Sequence, residues 1–252
     1  MKPDDLPILG IIRNWNSDYI HKFVDLTGKR VLCIGYAEDQ IDRLIAPLNP
    51  ASVEILTLWQ DHIDALPGKY AITIGNICEK TPFPDGTFDA VLTQSLLEHL
   101  NPLEDAIIEM KRISRPYADH CHFFGPVWSS AYGSHLYASA DDPLLSFSMW
   151  RLPAYMHLLS SPEEIREFYG KHGYSTPVID LILNEIFGKD HLNRLFYDEY
   201  VKVISRHYFI QNVEAMTNDV PEEILGRLRA NFPGSIDFAT YGAKYHVRVP
   251  AA

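Results

Sequence analysis

The sequence predicts an α/β fold, a mostly parallel sheet with helices packed on both faces. Two observations carry this. Short apolar runs alternate with amphipathic stretches at regular intervals through the first half of the chain. The runs are continuously apolar rather than alternating, as strands buried on both faces require.

The elements follow in order. Arg30 to Gly35 is an apolar run closed by glycine and reads as the first strand. From Asp39 to Leu48, Ile41, Leu44, Ile45 and Leu48 recur at helical spacing. Val53 to Leu58 is a second strand, Asp61 to Leu66 a short helix, and Tyr70 to Ile74 a third strand. Phe88 to Leu92 makes a fourth, Leu103 to Ile113 a long amphipathic helix, and Ala118 to Phe124 a fifth strand. Strand and helix in this rhythm build a parallel sheet. Gly125 to Leu159 is too long for a simple connection and reads as a lid or binding loop. Ser161-Pro162-Glu163-Glu164 is a capped helix start, and that helix stops at Gly173. Thr176 to Leu183 reads as a sixth strand, Lys189 to Met216 as helical, and Pro221 to Ala230 as another helix. Tyr245 to Val249, apolar and β-branched, closes the chain. The organisation expected is one domain over 1–252. Its core spans about 28–183 and 241–250, with a lid or acceptor insert at 125–160 and a helical insert at 184–240.

Composition narrows the partners. The chain has 252 residues, 46% hydrophobic and 22% charged, with a net charge of −11. That is an ordinary globular composition, and its negative field repels nucleic acid and anionic membranes. No segment approaches the roughly 18 apolar residues of a membrane span. The start carries Asp4 and Asp5 rather than a signal peptide. Cys33, Cys78 and Cys121 are odd in number and lack a CxxC pair, so they read as reduced thiols of a cytoplasmic protein. A small molecule is the expected partner, and a homodimer is compatible with the sequence.

Asn76 to Leu100 holds the most specific pattern. Asn76 follows the third strand, and Pro82-Phe83-Pro84-Asp85-Gly86-Thr87-Phe88-Asp89 leads into the fourth. Glu98-His99-Leu100 then approaches the next helix. This segment resembles the fourth-strand region of class I S-adenosylmethionine-dependent methyltransferases of the type 11 group. The resemblance spans roughly Gly28 to Phe124, and more weakly Ser160 to Leu183. It implies a Rossmann-like seven-stranded sheet with one antiparallel strand, Tyr245 to Val249, and S-adenosylmethionine as cofactor. By position it also implies a cofactor site of Gly35, Tyr36, Ala37, Asp39, Thr57, Leu58, Asn76, Ile77, Gln94 and Ser95.

The first motif departs from that family. In the family an acid ends the first strand and Gly-x-Gly-x-Gly follows, so that bare backbone can approach the cofactor. Here Cys33 stands for the acid, Ala37 and Asp39 for the second and third glycines, and only Gly35 remains. At the end of the second strand Thr57 stands where an acid binds both ribose hydroxyls; a hydroxyl lacks the charge and the second oxygen. Asp39 or Asp61 could supply a substitute carboxylate. Trp15 and Tyr19 fall where the family's first helix covers the cofactor, and an aromatic face there stabilises a sulfonium. Each is equally readable as a core staple.

Asp119-His120-Cys121-His122 invites a metal, but His-x-His on one strand face is weak support and no metal is assigned. The segment after the fifth strand concentrates Trp128, Tyr132, His135 and Tyr137. Apolar walls with hydrogen-bonding tips suit an acceptor pocket, with Trp128, Tyr132 and Tyr137 contacting substrate. His135, then His122, then His99 are the candidate bases for a hydroxyl acceptor. The function expected is methyl transfer to a small molecule, at a hydroxyl of a sugar or natural-product intermediate. The eroded first motif supports an alternative, a non-catalytic methyltransferase-like binding or scaffold protein.

Overall fold

The computed structural model describes residues 20, 22–58, 69–149, 151–188 and 191–251. Trp15, Tyr19, Asp61 and the expected helix at 61–66 lie outside the described residues. The chain divides into two compact units. Among the described residues, a sheet unit takes in those up to Phe124 together with 200–215 and 243–251, and an insert unit takes in those of 125–199 and 216–242.

The sheet has seven strands: β1 (Arg30–Ile34), β2 (Ser52–Thr57), β3 (Ala71–Ile74), β4 (Phe88–Gln94), β5 (Ser114–Phe124), β6 (Phe209–Thr217) and β7 (Thr240–Arg248). Their order is β3-β2-β1-β4-β5-β7-β6. Central β1 is buried along Val31–Ile34 and pairs in parallel with both β2 and β4. β5 continues the parallel run beside β4, while β7 returns antiparallel, with His122 opposite Tyr245. The Rossmann-like fold expected from the sequence is therefore present.

The register sorts side chains by face. Val31 and Cys33, Val53 and Ile55, Ala90 and Leu92, and Cys121 and Phe123 join one apolar core with Ile20, Val24 and Leu26. Helix α1 (Glu38–Leu44) adds Ile41 and Leu44 to it. Helix α2 (Leu103–Arg112) buries Leu103, Ala106, Ile107 and Met110. In the insert unit lie α3 (Met156–Leu159), α4 (Pro162–Lys171) and α5 (Thr176–Leu183). The expected cap of α4 is present: Ser161 accepts the Glu164 amide and Glu164 accepts the Ser161 amide. Helix α6 (Tyr197–His207) precedes β6, and α7 (Glu222–Asn231) precedes β7.

Two expected elements differ. Thr176–Leu183 is helix α5, not a strand. Pro177 sits in its first turn, Ile179 and Ile182 share a buried face, and the backbone continues as a π-helical turn through Asn184–Gly188. Within the span expected to be helical to Met216, the helix ends at His207 and Phe209–Thr217 forms β6. Insertions consequently follow β5, over 125–208, and β6, over 218–239. No helix among the described residues is long and apolar enough to cross a membrane.

Candidate active site

The sheet order reverses direction between β1 and β4, and ligands of such sheets bind at the carboxyl ends beside that point. A cleft of about 380 Å³ lies there in the sheet unit. Seven of the residues expected to hold cofactor line it: Gly35, Tyr36, Ala37, Thr57, Leu58, Asn76 and Ile77. Ile34, Gln40, Ile55, Leu56, Gly75, Leu96 and Leu100 complete the wall. Sequence reading missed these seven; Ile34, Ile55 and Leu56 lie within strands and look like ordinary core. Only Leu96 and Leu100, four apart across a turn, offered a signal.

The remaining three stand elsewhere. Asp39 is exposed on the first turn of α1 and is not part of the wall. Gln94 and Ser95 are also outside it. The Ser95 amide donates to the Phe123 carbonyl at 2.8 Å, and its backbone is left-handed with φ of 46°.

Local geometry fixes the wall. Gly35 has φ of 80°, and a Cβ placed on it would lie 2.2 Å from the Gln94 carbonyl oxygen. The glycine is required by the close approach of β4, so its retention serves the fold as well as the cleft. Tyr36 borders the cleft but its side chain belongs to the core, where burial and the nearby Cys33 and Cys121 thiols push its hydroxyl well above its usual range. The Ala37 amide donates to Gln40 Oε1 at 2.9 Å, closing the turn into α1. Asn76 Oδ1 accepts the Cys78 amide at 3.0 Å, and its Nδ2 donates to Glu79 at 3.1 Å. The Asn76 amide is thus engaged in a local turn. Among the described residues, no ionised side chain lines the cleft.

The turn before β4 is held by charge. Glu109 on α2 accepts the Thr81 amide and hydroxyl at 2.7 and 2.6 Å. Arg112 donates to Glu109 Oε2 at 2.7 Å and to the Phe83 carbonyl at 2.9 Å, and pairs with Asp85. Burial pushes the Glu109 carboxyl up, but Arg112 and Thr81 outweigh it and hold the group below its ordinary value. Asp89 accepts the Arg30 amide at 2.9 Å and Arg115 Nη1 at 2.6 Å. Phe83 and Phe88 meet edge to face at 5.0 Å. The most specific sequence pattern is therefore a structural clasp.

The candidate bases differ in their surroundings. His122 is fully buried, with Nδ1 2.9 Å from Thr93 Oγ1, and burial pushes it down to about 3. Beside it, His120 bonds Ser114 Oγ at 2.8 Å and Tyr208 Oη at 3.0 Å. This is a sealed polar network under the sheet, and His122 is not presented to the cleft. His99 is exposed on a 3₁₀ turn, Leu97–His99, and is not part of the cleft wall.

His135 belongs to the insert unit, where 129–136 are buried. It is left-handed with φ of 50°, and Nδ1 lies 3.0 Å from the Gly133 carbonyl. A carbonyl only accepts, so Nδ1 carries the proton and a neutral ring has its lone pair at Nε2. A Cβ on Gly133 would lie 2.3 Å from the Val127 carbonyl oxygen, so only glycine closes this knot. Phe147, which the sequence did not flag, has its ring centroid 5.0 Å from His135 and 6.3 Å from exposed Tyr137. Tyr132 is buried, which raises its hydroxyl pKa. Trp128 meets His157 edge-on at 4.5 Å, and the Arg194 guanidinium stands 5.5 Å from the Trp128 ring centroid. His157 Nε2 donates to the Trp128 carbonyl at 2.7 Å, and burial lowers that ring to about 4.

An apolar cleft with a few amide and hydroxyl groups fits the base and sugar of S-adenosylmethionine. Gly35, Ala37, Thr57, Leu58 and Ile77 are the residues that would hold it. Comparisons agree. Residues 21–118 match the family model described as a methyltransferase domain. No curated protein matches the chain. The fold is shared with the S-adenosylmethionine-dependent methyltransferase of Mesorhizobium loti, at 10% identity and TM-score 0.54, covering 90% of this chain and 94% of that one. It is shared with one from Methanosarcina mazei at 13% identity and TM-score 0.51, covering 93% and 98%. Residues 21–118 thus match a methyltransferase domain, on a sheet with the fold of class I S-adenosylmethionine-dependent methyltransferases, and the first glycine turn keeps one glycine.

Proposed function

We propose that the protein methylates a small-molecule acceptor at a hydroxyl, such as that of a sugar or natural-product intermediate, and that His135 is the base. When bound, S-adenosylmethionine supplies a methyl group on a positively charged sulfur, open to in-line displacement. Cleft residues Gly35, Thr57, Leu58 and Ile77 bind and orient the cofactor's nucleoside in this reading. His135 Nε2 takes the hydroxyl proton as the new oxygen–carbon bond forms.

The observation that supports it is the fixed tautomer of His135, set by its Nδ1 contact with the Gly133 carbonyl. Trp128, Tyr132 and Tyr137 are proposed to hold the acceptor, as apolar surfaces with polar tips. The net charge of −11 favours a small acceptor over nucleic acid. A cytoplasmic setting and a single functional domain are parts of the same proposal.

The test is a transfer assay over a panel of small hydroxyl, amine and carbon acceptors. Turnover of a hydroxyl acceptor that falls about 10²-fold in His135→Ala, with cofactor affinity kept, supports the reading. Transfer only to amines or carbon, undiminished in His135→Ala, contradicts it.

A further inference from the structure

The sheet ends on a strand with little to shield it. β6 stands last in the strand order, so beyond it no further strand follows among the described residues. Its stretch from Phe209 to Ala215 belongs to the sheet unit. Phe209, Gln211, Val213 and Ala215 share one face and are all exposed. On the other face Ile210 is exposed, while Asn212 and Glu214 are half-buried. The large apolar side chains stand well out: Phe209 is 55% exposed, Ile210 41% and Val213 37%.

The outer edge of a last strand offers a row of backbone donors and acceptors, and natural edges are commonly blunted with lysine or proline. Phe209–Ala215 contains no lysine, arginine or proline. Its single charge, Glu214, pairs with Lys244 of β7 at 3.5 Å. The chain as a whole carries a net charge of −11, so two copies repel one another over most of their surface. An exposed strand with an uncharged outer face is where that repulsion is weakest.

The stretch is also self-complementary. Antiparallel pairing about a two-fold axis at Asn212 sets Phe209 opposite Ala215 of a second copy, Ile210 opposite Glu214, and Gln211 opposite Val213. Asn212 faces its own counterpart, and no like charges stand opposite one another. We propose that β6 is a self-association edge, through which two copies of this chain pair along Phe209–Ala215 and continue the sheet. The pairing occupies the outer ladder groups of both strands and covers Phe209 and Val213. The cleft at β1 lies four strands away in the sheet order, so this edge is distinct from the candidate site.

Sedimentation equilibrium on the full chain tests this. The parent should be a dimer at about 10 µM. Its dissociation constant should fall about threefold or more between about 50 and 500 mM salt, because screening relieves the repulsion of two acidic chains. Val213→Lys should raise that constant about tenfold or more, since a lysine on this face resists pairing. Gln211→Lys on the same face should do the same, and it decides the matter if a thermal melt shows that Val213→Lys does not fold. Asn212→Cys supplies an independent readout. Strand-opposed residues at the axis stand within disulfide reach, so mild oxidation should link this variant into dimers, with the oxidised parent as the control. A parent that stays monomeric at about 100 µM overturns the proposal. So does a dimer that the folded lysine variants leave intact, one that loosens as salt rises, or one that Asn212→Cys fails to cross-link.

Discussion

Gly35 and Gln94 stand so close that a Cβ on Gly35 would lie 2.2 Å from the Gln94 carbonyl oxygen. The atom it meets is backbone of a central strand and cannot swing away. Gly35→Ala should therefore destabilise the ligand-free protein by about 2 kcal/mol or more, from the left-handed φ together with the clash. Urea unfolding without cofactor measures this. A variant as stable as the parent would show that the turn can shift. Bulk at position 35 is for the same reason a poor probe of cofactor binding, since it perturbs the sheet first.

The clasp of Glu109 and Arg112 makes a second prediction. Arg112→Ala leaves a buried carboxylate that still accepts from Thr81 but has lost its cation. Breaking such a pair from one side costs about 3 kcal/mol or more. Glu109→Gln in the Arg112→Ala background should recover part of that loss, because no charge then remains buried. Additive losses in the double variant would contradict the clasp.

Stability should fall in mild acid. Burial lowers the pKa of His122 to about 3 and that of His120 well below its ordinary value. Both rings are neutral when folded and protonate near 6.5 when unfolded. The unfolded state therefore binds more protons below that pH, and stability drops as pH falls from about 6.5 toward the folded values. Each ring contributes about 1.4 kcal/mol per pH unit, and with His157, which burial lowers to about 4, the three give roughly 4. Urea midpoints from pH 7.5 to 5 measure the slope, and His122→Gln should reduce it by about a third. A flat profile would mean that the network opens to water.

The sequence made the sheet legible where strands are buried on both faces. Val31–Ile34 and Ala90–Leu92 read as continuous apolar runs because helices cover both sides. β6 was hidden because it is an edge strand with much of its surface exposed, so no hydrophobic alternation marks it. Thr176–Leu183 misled because Val178, Ile179 and Ile182 are β-branched, while their spacing also fits a helix face. Cleft positions could be read where a motif marks a strand end, at Gly35 and Thr57. Gln40 could not, because nothing in its local sequence marks it as cleft wall.

Thr57 offers a gain-of-affinity test. It is half-buried at the end of β2 and lines the cleft. If the ribose lies there, Thr57→Asp adds a charged acceptor and should tighten S-adenosylhomocysteine by about 1 kcal/mol or more. Unchanged or weaker binding would place the sugar elsewhere.

The most direct test of the account is calorimetric titration of S-adenosylhomocysteine into the parent and Leu58→Arg. Leu58 lines the cleft yet is 56% exposed, so arginine there should be tolerated by the fold while crowding the apolar wall. The predicted result is one ligand per chain in the parent, and binding at least about tenfold weaker in a variant with an unchanged melting temperature. No binding by the parent, or equal affinity in the two proteins, would contradict the placement of the cofactor at the ends of β1, β2 and β3.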